Sequence, residues 1–341
     1  MRASSNPVTL HDIARASGVS VNTVSRALTG KADINADTKL RVQQIASQLG
    51  YRPNLMARAL VQGRTRSLGL VVTDCTHPFY AMLIRAVEDV CSNAAYSLVL
   101  STSSGSLERE ASALHLLTER RVDGLLLAPV QVGTPQMRDL LANGPPSVLL
   151  TRRPAGYEGP FVGSDNVQGA RLAVRHLLEL GHHRIAHVTT PKAGGSDVAR
   201  LRGYQTELAT AHIKFDADFV VSAPETIEGG RTIAATLLAI KPRPTAVFTY
   251  NDLQAIGVML GLGAAGVRVP QDVSVVGFDG IDVGGITAPQ LTTVAQQIDR
   301  IGRLGAQLLI DSLEKRPIAK TTNLLPAHLI VRGSTAAVRN R

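Results

Sequence analysis

Arg26 closes a short polar stripe. With Val21, Asn22 and Ser25 it falls on the outward face of one helical segment, opposite Val24, Ala27 and Leu28. An arginine bonds bidentately to the O6 and N7 of guanine, an asparagine pairs with adenine, and a valine methyl meets the thymine methyl. That set of groups suits the major groove of duplex DNA. A small helical hairpin with a solvated face carries the same pattern, so the surrounding elements must decide. A second set of chemically capable residues follows apolar runs further along the chain: Phe79 and Tyr80, Asp165, Arg200, Asn251 and Asp252, and Asp279. Carboxylates, an amide and a guanidinium beside an aromatic plane make a cage for a sugar, since polar groups take neighbouring hydroxyls and a ring covers the C–H face.

The elements that must hold the first set read as helix, turn, helix. Thr9 caps a first helix, with Asp12 in the capping-box position, and Leu10, Ile13 and Ala14 form its apolar face. Gly18 supplies a turn, and Ser20 caps a second helix that runs to about Leu28. Asn35 caps a third, in which Val42, Ile45, Ala46 and Leu49 recur at helical spacing before Gly50 ends it. Three such helices make a unit of about fifty residues, near the lower limit for independent folding. Residues 54–60 then read as a two-turn helix, too short to persist in water without packing or a ligand.

Charge separates the head from the body. The chain carries 36 Lys and Arg against 27 Asp and Glu. Residues 1–66 hold ten of the former and three of the latter, so seven of the nine net positive charges sit there. A basic head on a near-neutral body points to a bound polyanion. Nucleic acid is favoured over a membrane surface, because no lipidation motif or aromatic-rich basic helix is present. No apolar h-region opens the chain and no run is long enough to span a bilayer, so the expected compartment is the cytoplasm. Cys75 and Cys91 are too few and too isolated for a disulfide framework or a zinc site, and no metal or cofactor is expected.

The body alternates strand-like and helical runs. Strands are expected at 67–72, 96–101, 123–129, 147–150, 184–189, 218–221, 246–250 and 274–278. Helices are expected at about 78–94, 107–120, 167–180, 197–212, 226–239, 251–265 and 296–314. Near-continuous apolar strands joined by helices define doubly wound parallel sheets buried on both faces, and about 275 residues is enough for two α/β lobes. Ligands of such sheets sit beyond the carboxyl ends of the strands, where the second set of residues lies. Each of those residues also has a structural use. Asp252 and Asp279 can cap helices, Arg200 can pair with Asp197 or Glu207, and Phe79 can belong to the core.

The runs VTLHDIARASGVSVNTVSRALTG and LGYRPNLMARAL resemble the DNA-binding head and hinge of the LacI/GalR family of bacterial repressors. DGLLLAP, GSDN, LGHHRIA, ARLRGY, PTAVFTYND, GVRVPQDVSVVGFDG and PQLTTV match that family's effector domain in order, a two-lobed body like a periplasmic binding protein. The resemblance implies base reading by Val21, Asn22 and Arg26 and phosphate contacts by Thr9, Ser20, Thr23 and Ser25. It implies hinge roles for Ala57 and Leu60, with Leu60 wedged into a base step from the minor groove. Phe79, Arg200, Asn251 and Asp279 become the expected effector contacts, with Tyr80, Asp165 and Asp252 behind them. The expected domains are a helix-turn-helix head at 1–52, a hinge and linker at 53–65, and an effector-binding and dimerisation domain at 66–341. Its first lobe takes about 66–164 and 295–325, and its second about 165–294 and 326–336.

The expected function is that of a sequence-specific transcriptional regulator, foremost a repressor, whose affinity for a near-palindromic operator responds to a small effector, foremost a sugar. A nucleobase or other metabolite acting as co-repressor is the alternative. The short stretch after Arg332 leaves no room for a heptad tail, which favours a homodimer. A cytoplasmic sugar-binding protein would not need the basic head. An enzyme would need an acid–base or nucleophilic pair that the strand ends do not show, so no enzymatic activity is expected. Gly261 to Gly266 spell G-x-G-x-x-G, but at the end of a helical run rather than after a strand, which removes the dinucleotide reading. His176, His182, His183 and His187 crowd together without ligand spacing. Arg26→Ala is expected to cost about 1–3 kcal/mol on a site enriched from random duplexes and to relax one base position, measured by fluorescence anisotropy. An equal loss on every sequence would make Arg26 a phosphate contact instead.

Overall fold

The computed structural model describes residues 8–29, 33–51, 63–191, 194–318 and 320–338. The chain divides into two compact units, Met1–Thr65 and Arg66–Arg341. In the first, α1 (Leu10–Ser17) opens with a complete capping box. The Thr9 backbone N–H donates to Asp12 Oδ2 at 2.9 Å, and the Asp12 N–H returns to Thr9 Oγ1 at 3.4 Å. Gly18 sits at φ 69° and turns the chain toward α2 (Val21–Leu28), whose Thr23 N–H donates to Ser20 Oγ at 3.1 Å. Asn35 caps α3 (Ala36–Gln48). Ile13, Val24 and Val42, one from each helix, are fully buried and meet with Ala14, Ala27 and Ala46 between them. The small residues let three short helices approach closely enough to close a core. Ala57 and Leu60 lie outside the described residues.

The second unit is built on two six-stranded sheets. The strands are β1 (Ser67–Val72), β2 (Ser97–Thr102), β3 (Gly124–Leu127), β4 (Ser147–Leu150), β5 (Phe161–Ser164), β6 (Ile185–Thr189), β7 (Val220–Ser222), β8 (Ala246–Thr249), β9 (Ser274–Asp279), β10 (Thr292–Ala295), β11 (Thr322–Leu325) and β12 (His328–Ile330). One sheet has the order β11-β5-β4-β3-β1-β2 and is wholly parallel. The other runs β12-β10-β9-β8-β6-β7, parallel except for β12. Helices α4 (Pro78–Asn93), α5 (Leu107–Glu119), α6 (Pro135–Asn143) and α11 (Ile298–Leu313) cover the first sheet. Helices α7 (Asn166–Glu179), α8 (Ser196–Thr210), α9 (Ile227–Ala239) and α10 (Asp252–Ala264) cover the second. Helices on both faces are what the unbroken apolar strands require.

Elements that the apolar pattern does not single out are short or polar. Helix α6 depends on the Thr134 cap and Pro135 in its first turn more than on an apolar stripe. In β10 the fully buried Thr292 and Thr293 replace aliphatic residues, and their hydroxyls meet Thr335 at 3.1 Å and Asp252 at 2.5 Å. The expected strand at 218–221 resolves into a 3-10 turn at Ala217–Phe219 followed by β7, because Asp216 caps the turn. The G-x-G-x-x-G run ends α10. Its Gly261, with Gly257, lets the α10 backbone press against α9, where a Cβ would strike the carbonyls of Arg231 and Ile227.

The histidines divide into structural uses. His182 meets Ser274 Oγ and the Ala336 carbonyl at 3.0 Å each, which ties the C-terminal segment to the sheet. His176 meets Thr335 at 3.0 Å. His187 is completely buried between the rings of Tyr204 and Phe248, with Nδ1 3.0 Å from the Phe248 carbonyl and Nε2 without a partner among the described residues. Among the described residues no group of three His, Cys, Asp or Glu could hold a metal, and no helix is long and apolar enough to cross a membrane.

Burial pushes the His187 imidazole down to about 4. The unfolded chain takes up a proton near the ordinary value of about 6.5, so this residue's contribution is complete above that pH and is lost as pH falls toward 4. The interval corresponds to about 3 kcal/mol. Urea unfolding between pH 4 and 7 should therefore show a steep acid limb that His187→Phe flattens; an unchanged limb would exclude His187 as its source.

Candidate functional site

In the head, the outward groups of α2 divide between exposed and half-buried. Asn22 and Arg26 are exposed, while Val21, Thr23 and Ser25 are half-buried. The candidate phosphate-binding hydroxyls are engaged locally: Thr9 Oγ1 with Asp12 at 2.7 Å, and Ser20 Oγ with Thr23 Oγ1 at 2.9 Å. The Arg26 guanidinium ion-pairs with Asp33. A surface pair of this kind is worth little.

In the body, the carboxyl ends of the strands face one cavity of about 740 Å³ between the lobes. Every predicted effector residue except Asp165 and Asp252 lines it. Asp165 instead caps α7, its Oδ1 accepting from the Gln168 N–H at 3.0 Å. Asp252 is fully buried behind the site. Its Oδ2 accepts from the N–H groups of Gly280 and Ile281 at 2.8 and 2.9 Å, and its Oδ1 from the Thr293 hydroxyl. Asp252 is spent on holding the Gly280–Ile281 backbone, and one oxygen of Asp165 on capping α7.

Arg200 is the centre of the cavity. It is only 4 % exposed, and its guanidinium lies over the ring of Phe278 at 3.7 Å and that of Tyr250 at 4.4 Å. Nε donates to Asn166 Oδ1 at 2.9 Å, and Nη1 donates to the Tyr250 carbonyl. Nη2 lies 3.8 Å from Asp279 Oδ1, close enough to share charge and too far for a direct hydrogen bond. The alternatives for Arg200 are thereby excluded: Glu207 pairs with Arg171 and Arg175, and Asp197 accepts from Thr189. Asp279 is held at φ 126°, a costly setting for a non-glycine residue, and Gln296 Nε2 donates to its Oδ1 at 2.7 Å. Burial raises the pKa of Asp279, while the Arg200 charge pulls it back down. Asp252 is raised by burial and then by Asp279. Phe79 and Tyr80 are buried at the start of α4 and meet edge to face at 5.2 Å.

Residue types and strand positions alone miss Arg152, His77, Gln296 and Glu225, all of which line the cavity. Arg152 lies just beyond β4 and Asp279 closes β9, so a full survey of strand ends would have found it. Its Nη1 is anchored on the carbonyls of Pro129 and Val130 at 3.1 and 2.9 Å, and its Nη2 reaches the Tyr250 hydroxyl at 3.2 Å. Thr151, just before it, sits at φ 64°, and its buried Oγ1 has no hydrogen-bond partner among the described residues.

A basic three-helix head joined to a two-lobed α/β body with a polar interlobe cleft defines a ligand-responsive DNA-binding protein. The profile of bacterial regulatory proteins of the lacI family matches residues 9–54, and that of the periplasmic binding protein-like domain matches residues 174–335. The ribose operon repressor of Halalkalibacterium halodurans is 35% identical over 332 residues, 97% of this chain and 98% of that protein. The lac repressor dimer bound to operator and the anti-inducer ONPF superposes with a TM-score of 0.89 at 27% identity, over 97% of this chain and 100% of that one. A LacI family regulator from Enterococcus faecium with bound ribose gives a TM-score of 0.71 at 32% identity, over 80% and 100%. The chain belongs to the lacI family of bacterial regulatory proteins. It is a DNA-binding transcriptional regulator rather than an enzyme.

Asp252→Ala leaves two backbone N–H groups and the Thr293 hydroxyl without an acceptor. The expected loss is about 2–4 kcal/mol by urea unfolding. A variant as stable as the parent would show that Asp252 does not buttress the Asp279 turn.

Proposed function

We propose that this chain is a cytoplasmic homodimeric repressor whose grip on a near-palindromic operator is set by a neutral polyhydroxyl ligand, a sugar, held between the lobes. The arrangement that carries the reading is the Arg200–Asp279 pair. A buried donor and a buried acceptor stand side by side with a gap of 3.8 Å between them. Two adjacent hydroxyls fill such a gap, one accepting from Nη2 and the other donating to the carboxylate. Asn251 and Gln296 extend the polar floor, and Phe79 and Tyr80 supply the apolar plane that covers ring C–H groups.

Charge selects against an anionic ligand. Asp74, Glu225, Glu228 and Asp279 line the cavity against Arg152 and Arg200 alone. Arg152 gives Nη1 to two carbonyls and Nη2 to a phenol, and Arg200 gives Nε to Asn166 and Nη1 to Tyr250. A phosphate would therefore find two partly engaged guanidinium groups facing four carboxylates. The ribose operon repressor and the ribose-bound regulator among the relatives support a pentose as the first ligand to try.

In the head, Val21, Asn22 and Arg26 read bases, and Thr9, Ser20, Thr23 and Ser25 exchange their local hydrogen bonds for phosphate oxygens. Ala57 and Leu60 form the hinge that opens a base step. The lobes turn against each other as the cleft fills, and the hinge reports that turn to the operator.

A thermal-shift panel of neutral pentoses and hexoses, including D-ribose, their phosphate esters and free nucleobases tests the ligand class. A neutral sugar should raise the melting temperature and its phosphate ester should not. Arg200→Lys, which keeps the charge but loses the fork and the ring stacking, should weaken sugar binding at least tenfold, about 1.4 kcal/mol or more by calorimetry. A phosphate ester or a nucleobase as the sole stabiliser, or sugar binding indifferent to Arg200→Lys, would overturn the reading.

A further inference from the structure

A neutral imidazole has one donor nitrogen and one acceptor nitrogen. His77, half-buried before the first turn of α4, is placed where it must accept twice. Its Nδ1 lies 3.2 Å from the backbone N–H of Phe79, which it caps. Its Nε2 lies 3.2 Å from Nδ2 of Asn251, which belongs to the opposite lobe. The Asn251 amide cannot be turned over to relieve this. Its Oδ1 accepts from the Gln254 N–H at 2.8 Å as the cap of α10, and its Nδ2 also donates to the Glu225 carbonyl at 3.0 Å. Asn251 therefore presents an N–H to His77. In either neutral tautomer one of the two contacts is lost, and in the imidazolium both are lost.

We propose that His77 is a positioning residue that latches the two lobes, and that its tautomer and protonation state decide whether the latch holds. With Nε2 as acceptor, the ring joins α4 to α10 across the cleft and leaves the Phe79 N–H without its cap. With Nδ1 as acceptor, the cap is kept and an N–H is turned toward the cavity, where a ligand oxygen can take it. Neither contact is strong enough to exclude the other, so occupancy of the cleft selects between them. That last step rests on the ligand reading above, whereas the latch between the empty lobes does not.

Protonation breaks the latch, because the imidazolium turns an N–H toward each of the two neighbouring donors. Histidine is the side chain whose charge ordinarily changes between pH 5 and 8. The groups that face it come from several elements. Asp74 on its own loop and Asp279 at the end of β9 both have their carboxyls drawn down in part by His77. Arg152 after β4 and Arg200 in α8 line the same cavity. Glu225, before α9, has its carboxylate engaged by the Thr190 hydroxyl at 2.7 Å. The Tyr80 ring meets the imidazole edge-on at 6.0 Å, and Tyr250 is held by Arg152 at 3.2 Å. That Arg152–Tyr250 hydrogen bond is a second crossing of the cleft, so a broken latch loosens the lobes without separating them.

Two substitutions divide the functions of the ring. His77→Asn keeps an oxygen to cap α4 and is too short to reach Asn251. His77→Gln places an amide oxygen near the present Nε2 and keeps the crossing without a titrating group. In the full chain carrying Cys75→Ser, spin labels on exposed Glu108 of the first lobe and Asp218 of the second report lobe separation by double electron–electron resonance. The ligand-free parent should give a narrow distribution at pH 8 and a broader, longer one at pH 5.5. His77→Asn should give the longer distribution at both pH values, and His77→Gln the narrow one at both. Distributions that coincide for the parent and His77→Asn at both pH values would overturn the latch. D-ribose titrated into the same proteins supplies the second arm. Several-fold tighter binding to the parent at pH 5.5 than at pH 8, where the latch competes for Nε2, with no such change in His77→Gln, supports coupling to the ligand; equal binding to the parent at both pH values overturns that coupling. A parent that binds no sugar overturns the pentose assignment and leaves the separation measurement to judge the latch.

Discussion

A guanidinium almost wholly removed from water sets the terms for the rest of the body. Arg200 is tolerable at that depth because two aromatic faces, a carbonyl, an amide oxygen and a carboxylate surround it. A buried charge without such partners costs several kcal/mol. The carboxylate must in turn be held in place, and that requirement reaches outward. Asp279 adopts a left-handed backbone setting that Asp252 fixes from behind through Gly280 and Ile281. Thr293 in β10 completes the Asp252 acceptor set, which accounts for a threonine in the middle of a buried strand. One charge thus organises α8, the ends of β8 and β9, and β10.

The constraint also explains why the site lies between lobes rather than within one. The second lobe supplies a satisfied but unsaturated pair, Arg200 and Asp279, whose remaining hydrogen-bonding capacity points into the cleft. The first lobe supplies a rigid arginine, an aromatic pair and a threonine hydroxyl with no partner among the described residues. A ligand that completes both halves favours one relative setting of the lobes over another, and only such a difference in affinity shifts an equilibrium. A basic head is suited to be read out in this way, since the electrostatic share of a DNA affinity is large and easily modulated.

Much of this is legible from residue order, for local reasons. Thr9, Ser20 and Asn35 precede apolar-periodic runs, and caps act over three residues, so their helices can be placed from sequence. The parallel strands announce themselves because burial on both faces leaves no polar alternation. The site is legible only in part. Phe79, Arg200, Asn251 and Asp279 stand at strand or helix ends, where the topology puts ligands. Asp165 and Asp252 also follow strands, and there they cap α7 and hold the turn after β9. A carboxylate shortly after a strand can cap a helix or buttress a neighbouring turn, and that choice depends on contacts such as Thr293, forty-one positions away from Asp252. His77 and Arg152 are missed for the same reason. Their meaning lies in Asn251 and Tyr250, on the other lobe.

The central claim is that occupancy of the cleft and grip on DNA are linked free energies, and reciprocity tests it most directly. Operator affinity is measured with and without a saturating sugar, and sugar affinity with and without a saturating operator duplex, in one buffer at one salt concentration. The account predicts that both affinities change by the same factor, about 5- to 150-fold for a coupling of about 1–3 kcal/mol. Two affinities that each stay constant when the other site is filled would contradict it.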